Sequence, residues 1–282
     1  MPRPSRPPTA RVLDYTDHRR ELDRNRYIYA VVSRRAAGLS IGVNLNPDKV
    51  CNFDCPYCQV DRTVPGGSAV IDIPALRAEL DHLLALTRGD LWATPPFDSA
   101  APALRRVVDI AFAGDGEPTS PPEFPAAAAA AHAARAAAGL TVPLRLLTNS
   151  TLLERPRVRD ALDHFDELWC KLDAGTEAWF QRVDGTRFPF ATVLRNLAAV
   201  AARRPIILQS MFLTLDGVGP SDAEIDAYVD RLDAIGNIDH VQVYTVARRP
   251  ASAAVGALDP LRLEAIGARV EARGFRAEVW PI

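Results

Sequence analysis

No run of apolar residues in this 282-residue chain is long enough to cross a bilayer, which excludes a helical membrane span in the sequence read alone. The N-terminus lacks the apolar core of a signal peptide, so the expected compartment is the cytoplasm, where thiols stay reduced. Cysteine is scarce at 4 residues, too few and too clustered for a disulfide framework. Histidine is scarce too, and His18, His82, His132, His164 and His240 show no paired ligand spacing. A net charge of −2 excludes a whole-molecule polyanion binder, and 48% apolar residues exclude global disorder. There is no internal repeat and no long linker.

What charge there is lies unevenly. Residues 1–35 carry nine arginines, including Arg34 and Arg35, against four acids, Asp14, Asp17, Glu21 and Asp23. Such a segment is either a solvated basic leader or a contact for phosphates, which leaves RNA open as a partner. Residues 1–38 are expected to form a basic N-terminal extension, and residues 39–282 the folded body.

Brief apolar stretches bounded by turn residues predict strands over 39–45, 107–113, 144–149, 167–173, 206–214 and 240–246, with a short last one over 275–279. Helical spacing predicts helices over 74–86, 123–138, 156–165, 191–202, 222–234 and 260–272, with Asp72 as a cap of the first. Strand–helix alternation implies parallel strands with helical crossovers. The fold class is therefore α/β, and six such units with a C-terminal helix and strand can curl into a partial (β/α)6 TIM-like barrel. Ligands of such folds bind at the C-terminal strand ends. Residues 89–105 read as a proline-broken insertion, either a lid or an irregular connection.

Three of the four cysteines stand in the loop after the first strand, Cys51-Asn-Phe-Asp-Cys55-Pro-Tyr-Cys58. Thiolates suit iron–sulfur clusters or zinc. Three sulfurs on one short loop can grip a cluster and leave one iron open, whereas structural zinc usually closes with four ligands. The second strand ends in Gly114-Asp-Gly-Glu117-Pro118, where glycines allow close backbone approach and a glutamate can accept from an ammonium, or where the chain simply turns. The third ends at Asn149, a candidate ribose or carboxylate contact or a helix cap. On the fourth, Lys171 and Asp173 share one face and Cys170 the other. A charge buried unpaired against the helices would be expensive, so Lys171 and Asp173 are expected in the lumen. Cys170 is either an inert buried thiol or a catalytic one. Gln242 and Gln209 are placed toward the lumen because a buried amide needs a partner.

The Cys51–Cys58 motif, with Tyr57 before its last cysteine, resembles that of the radical S-adenosylmethionine (SAM) superfamily. The Gly114–Pro118 segment resembles that family's GGEP segment, with Asp115 where a second glycine is usual. Lys171 to Gly185 (KLDAGTEAWFQRVDG) and Val241 to Pro250 resemble the wyosine-type tRNA-modifying enzymes and related uncharacterised iron–sulfur oxidoreductases. The wyosine enzymes carry a further cluster from cysteines upstream of the motif, and this sequence has none before Cys51.

The resemblance implies a radical SAM barrel with a [4Fe–4S] cluster on Cys51, Cys55 and Cys58. It implies SAM near Tyr57, Gly114, Asp115, Gly116, Glu117, Asn149 and Gln242, with Lys171 and Asp173 as candidates for SAM carboxylate or substrate binding. The chemistry implied is reductive cleavage of SAM to a 5′-deoxyadenosyl radical that takes hydrogen from a substrate. An electron donor such as flavodoxin or ferredoxin is implied as partner. Three readings remain at the level of sequence: an enzyme acting on a small molecule or a nucleoside, free or in RNA; an activase installing a radical on a partner protein; and a non-enzymatic zinc module.

Overall fold

The computed structural model describes residues 25–33, 37–89, 91–248, 250 and 252–281. Arg34, Arg35 and the basic residues before position 25 lie outside them.

Among the described residues ten strands and seven α-helices follow one another along the chain. They run β1 (Ile28–Ser33), β2 (Gly38–Val43), α1 (Ile73–Leu86), β3 (Val107–Phe112), α2 (Phe124–Ala137), β4 (Leu144–Thr148), α3 (Pro156–Ala161), β5 (Glu167–Lys171), α4 (Glu177–Val183), α5 (Phe190–Ala201), β6 (Ile206–Met211), β7 (Leu213–Leu215), α6 (Asp222–Ile235), β8 (Ile238–Tyr244), β9 (Val255–Ala257), α7 (Pro260–Ala272) and β10 (Ala277–Trp280). One sheet takes the order β1-β2-β3-β4-β5-β6-β8-β10. All of its pairings are parallel except that of β1 with β2. This is the expected partial α/β barrel, with β1 added on one edge.

Local chemistry accounts for the helices. The Asp72 carboxylate accepts from Ala75 N at 3.0 Å, which caps α1, and Pro74 sits in its first turn. Leu76, Leu80, Leu83 and Leu84 then fall on one buried stripe. Alanine at 127, 128, 131 and 134 gives α2 a buried face of small side chains, and Gly139 ends it at φ 67°. Ser221 and Asp259 cap α6 and α7 through their side chains.

Side chains alternate across the sheet. Leu146, Leu168, Cys170, Leu208, Val241 and Val243 are buried against the helices. The opposite, lumen face carries Arg145, Glu167, Trp169, Lys171, Gln209, His240 and Gln242. Parallel register puts Lys171, Gln209, Gln242 and Glu278 in one row across β5, β6, β8 and β10.

Three expectations need correction. Within the segment 1–38, expected as an extension, Ile28–Ser33 is a buried strand held on the sheet edge. Its backbone is tied from α1: the Glu79 carboxylate accepts from the N–H groups of Arg26, Tyr27 and Ile28 at 2.8–3.0 Å. The strand expected over 206–214 divides after Met211, and Leu213–Leu215 pairs antiparallel with Val255–Ala257 in a separate two-stranded sheet. Phe212, at the break, is buried edge-on against Tyr228 at 5.1 Å. Helix α4 was not expected at all, although Thr176 caps it by accepting from Trp179 N. The insertion over 89–105 is an irregular connection of three 3-10 turns that buries Leu91 and Phe97. It enters β3 at its N-terminal end, opposite the cysteine loop, so it is no lid for that loop.

Glu79→Ala removes the acceptor for three backbone donors. It is expected to lower unfolding free energy by about 1–3 kcal/mol, and denaturant titration reads it. Hydrogen exchange should speed up over residues 27–33 more than elsewhere.

Candidate active site

The loop that follows β2 is held by its non-cysteine residues. Phe53 is buried and meets Phe180 of α4 edge-on at 5.6 Å, and Phe180 stacks on Phe190 at 4.8 Å. The Tyr57 hydroxyl donates to Asp173. Asn52 donates to the Thr151 hydroxyl at 2.7 Å and accepts from Asn149 Nδ2 at 2.6 Å. Between these anchors Cys51, Cys55 and Cys58 remain free thiols, each half-buried. Cys55 and Cys58 line an open groove of about 870 Å³ with Arg62, Pro250 and Ser252. Burial pushes the Cys51 thiol up and the Cys55 thiol well up, although the Lys171 ammonium pulls Cys55 back. Arg62 donates to Cys58 Sγ at 3.4 Å.

The glycines after β3 are also required by the packing of the loops around them. A Cβ on Gly114 would stand 2.2 Å from Asn44 Oδ1, and one on Gly116 2.1 Å from Val50 O. The close neighbours that require glycine are thus β2 and the cysteine loop itself. Asp115 pairs reciprocally with Asn44: its Oδ2 accepts from Nδ2 at 2.7 Å and its N–H donates to Oδ1 at 3.1 Å. Glu117 is buried, and burial pushes its pKa up. Its carboxylate accepts from the Thr119 and Thr148 hydroxyls and from Asn149 N at 2.6–2.7 Å, tying the ends of β3 and β4 together. Asn149 in turn spends its Oδ1 on the Thr151 N–H and hydroxyl. Asn149 caps no helix, since α3 begins after Arg155; it makes a local turn that also braces the loop at Asn52.

Lys171 and Asp173 lie together in the lumen, and the structure adds a residue that the sequence reading missed. Lys171 Nζ contacts Asp173 and is 2.7 Å from Asp184 Oδ1. It also stands 4.6 Å from the centre of the Tyr57 ring. Asp173 Oδ1 accepts from Met211 N at 2.9 Å. Asp184, just after α4, also lies 3.7 Å from Cys55 Sγ. Burial lowers the Lys171 pKa, but Asp173 and Asp184 together carry it well above the usual value. Burial raises Asp184 to about 7. The signal for Asp184 was present only as a polar residue before Gly185, since 129 residues separate it from Cys55. Cys170 is fully buried on the other face, and burial pushes its thiol to about 12.

Gln242 is buried in the lumen, accepting from Gln209 Nε2 at 3.2 Å and standing 3.4 Å from His240 Nε2. It lines a cavity of about 380 Å³ with Arg145, Trp169, Ile207, His240 and Glu278. That cavity extends toward the N-terminal strand ends, while Gln242 stands in the lumen in the same row as Lys171.

The donor set fits an iron–sulfur cluster: three soft sulfurs on one loop, with the loop anchored elsewhere. Among the described residues no group of three or more His, Cys, Asp or Glu is arranged around a single-ion position. Beside Gly116, the buried Asn46 Oδ1 has no hydrogen-bond partner among the described residues, an acceptor suited to a cofactor ammonium.

The family model described as the Radical SAM superfamily matches residues 45–232. A UPF0026 protein of Methanocaldococcus jannaschii is 24% identical over 55% of this chain and 43% of its own length. This chain therefore spans less than half of that relative. A radical SAM methyltransferase from Sphaerobacter thermophilus shares the fold at a TM-score of 0.62 and 17% identity, over 89% of this chain and 68% of that one. TYW1 with a lysine–pyruvate adduct bound shares it at 0.54 and 14%, over 83% and 73%.

Two outcomes follow from the packing. Gly116→Ala is expected to destabilise the fold by about 1–3 kcal/mol in denaturant titration, because the added methyl meets backbone. A raised thiol pKa means less thiolate, so iodoacetamide at pH 8 should leave Cys170 unlabelled in the native protein and label it after unfolding. Mass spectrometry reads both.

Proposed function

The chain belongs to the radical SAM superfamily, and from that membership we propose that it is a SAM-cleaving enzyme whose [4Fe–4S] cluster is held by Cys51, Cys55 and Cys58. The observation that carries the reading is the loop after β2. Within the matched segment it offers three half-buried thiols, and its other side chains are anchored elsewhere. When bound, the cluster supplies the electron that breaks a carbon–sulfur bond of SAM and yields the 5′-deoxyadenosyl radical. The protein's own residues do the holding. Phe53, Asn52 and Tyr57 fix the loop, and Gly114 and Gly116 let β3 close on it. Asn46 and Glu117 offer acceptors for the amino end of SAM, and Asn149, Lys171 and Asp173 stand near the same strand ends.

The substrate is proposed to be a small molecule or a nucleoside, free or in RNA, from which hydrogen is taken. An external reductant such as flavodoxin or ferredoxin completes the proposal. On this reading the reacting end lies at the C-terminal mouth, where ligands of such folds bind.

The test is anaerobic. The reconstituted protein should contain iron and sulfide, and with dithionite and SAM it should form 5′-deoxyadenosine. Cys55→Ala should reduce that product to background. Zinc without iron or sulfide would overturn the reading and leave a zinc module. With deuterated candidate substrates, label should appear in 5′-deoxyadenosine only for the true one.

A further inference from the structure

The turn that ends α4 meets the cysteine loop at backbone and side chain. Gly185 has a φ of 57°, and a Cβ there would stand 2.0 Å from Asp54 O. Its carbonyl accepts from Asp54 N at 3.3 Å. That turn sets Asp184 between two groups: Lys171 Nζ at 2.7 Å and Cys55 Sγ at 3.7 Å. The Asp184 side chain is 1% exposed and that of Lys171 17%. Asp173, the other carboxylate on Lys171, is committed to Met211 N and the Tyr57 hydroxyl. Asp184 is therefore the carboxylate that faces the thiol.

We propose that Asp184, with Lys171, is a positioning residue for Cys55 that fixes the charge beside this cluster ligand and so sets the cluster's reduction potential. The inference rests on the cluster reading above. Metal ligands are oriented and tuned by the groups around them, and iron–sulfur potentials respond to local charge and hydrogen bonds. Water is largely excluded here, so screening is weak and a charge a few ångströms away is felt. Lys171 neutralises one carboxylate, and the second leaves the trio with one net negative charge. An electron entering the cluster meets that charge, so Asp184 holds the potential down. The neighbouring Gly185–Asp54 contact fixes the distance at which it acts.

The test compares wild type with Asp184→Asn and Asp184→Glu, reconstituted anaerobically without SAM at pH 8. Midpoint potentials are read by electron paramagnetic resonance during redox titration. Asp184→Asn removes the charge at constant shape and should favour reduction by at least tenfold, about 59 mV upward for one electron. Asp184→Glu keeps the charge and should stay within about threefold of wild type, which a merely structural role would not require. Should Asp184→Asn fail to fold, Asp184→Ser removes the same charge and carries the same expectation. A loaded, charge-removed variant with an unchanged or lowered potential overturns the proposal. Failure of the wild type itself to take up iron and sulfide would instead overturn the cluster reading.

Discussion

A loop that must present three thiols to a metal cluster has to be held by everything except those thiols. Here that constraint is met from three sides. Phe53 enters an aromatic stack on α4 and α5, Tyr57 reaches across to Asp173, and Asn52 joins the end of β4. The anchors come from the end of β4 and from the stretch running through the end of β5, α4 and α5. The geometry of the sulfurs therefore depends on the closure of the whole barrel wall from β2 to β5. An isolated loop of this sequence would have no reason to adopt it.

The same constraint explains why polar residues are buried at these strand ends. Asn44, Asn46, Glu117, Thr148 and Asn149 are all nearly inaccessible. Glu117 replaces a crossing hydrogen-bond ladder with one carboxylate that collects donors from two strands. A charged acceptor makes these bonds shorter and stronger than neutral ones. The glycines after β3 complete the arrangement, because a Cβ on Gly116 would stand 2.1 Å from Val50 O.

Much of this was legible in the sequence, and what was missed has a common cause. Strand–helix alternation and the Cys51–Cys58 spacing are local patterns, so the mostly parallel α/β sheet and the loop that carries the thiols could be read directly. Lys171 and Asp173 were placed in the lumen by the two-residue period of a strand. Asp184 was not found, because its meaning lies in a contact with residues far away in the chain. The second demand on Gly114 and Gly116, the close approach of Asn44 and Val50, is likewise set by residues far away in the chain. The strand at Ile28–Ser33 was hidden by the basic residues around it, although its own apolar run is plain. Composition over a long window outweighed a short pattern.

The direction of β1 decides which end of the barrel its first residues occupy. Because β1 runs antiparallel to β2, with Ile28 opposite Val43, the strand starts at the C-terminal end of the parallel strands. Tyr27 O accepts from Asn44 N at 2.8 Å at that same end. Arg26 and Tyr27 thus stand beside the mouth that carries the thiols, and the edge strand fastens the backbone from which the cysteine loop departs.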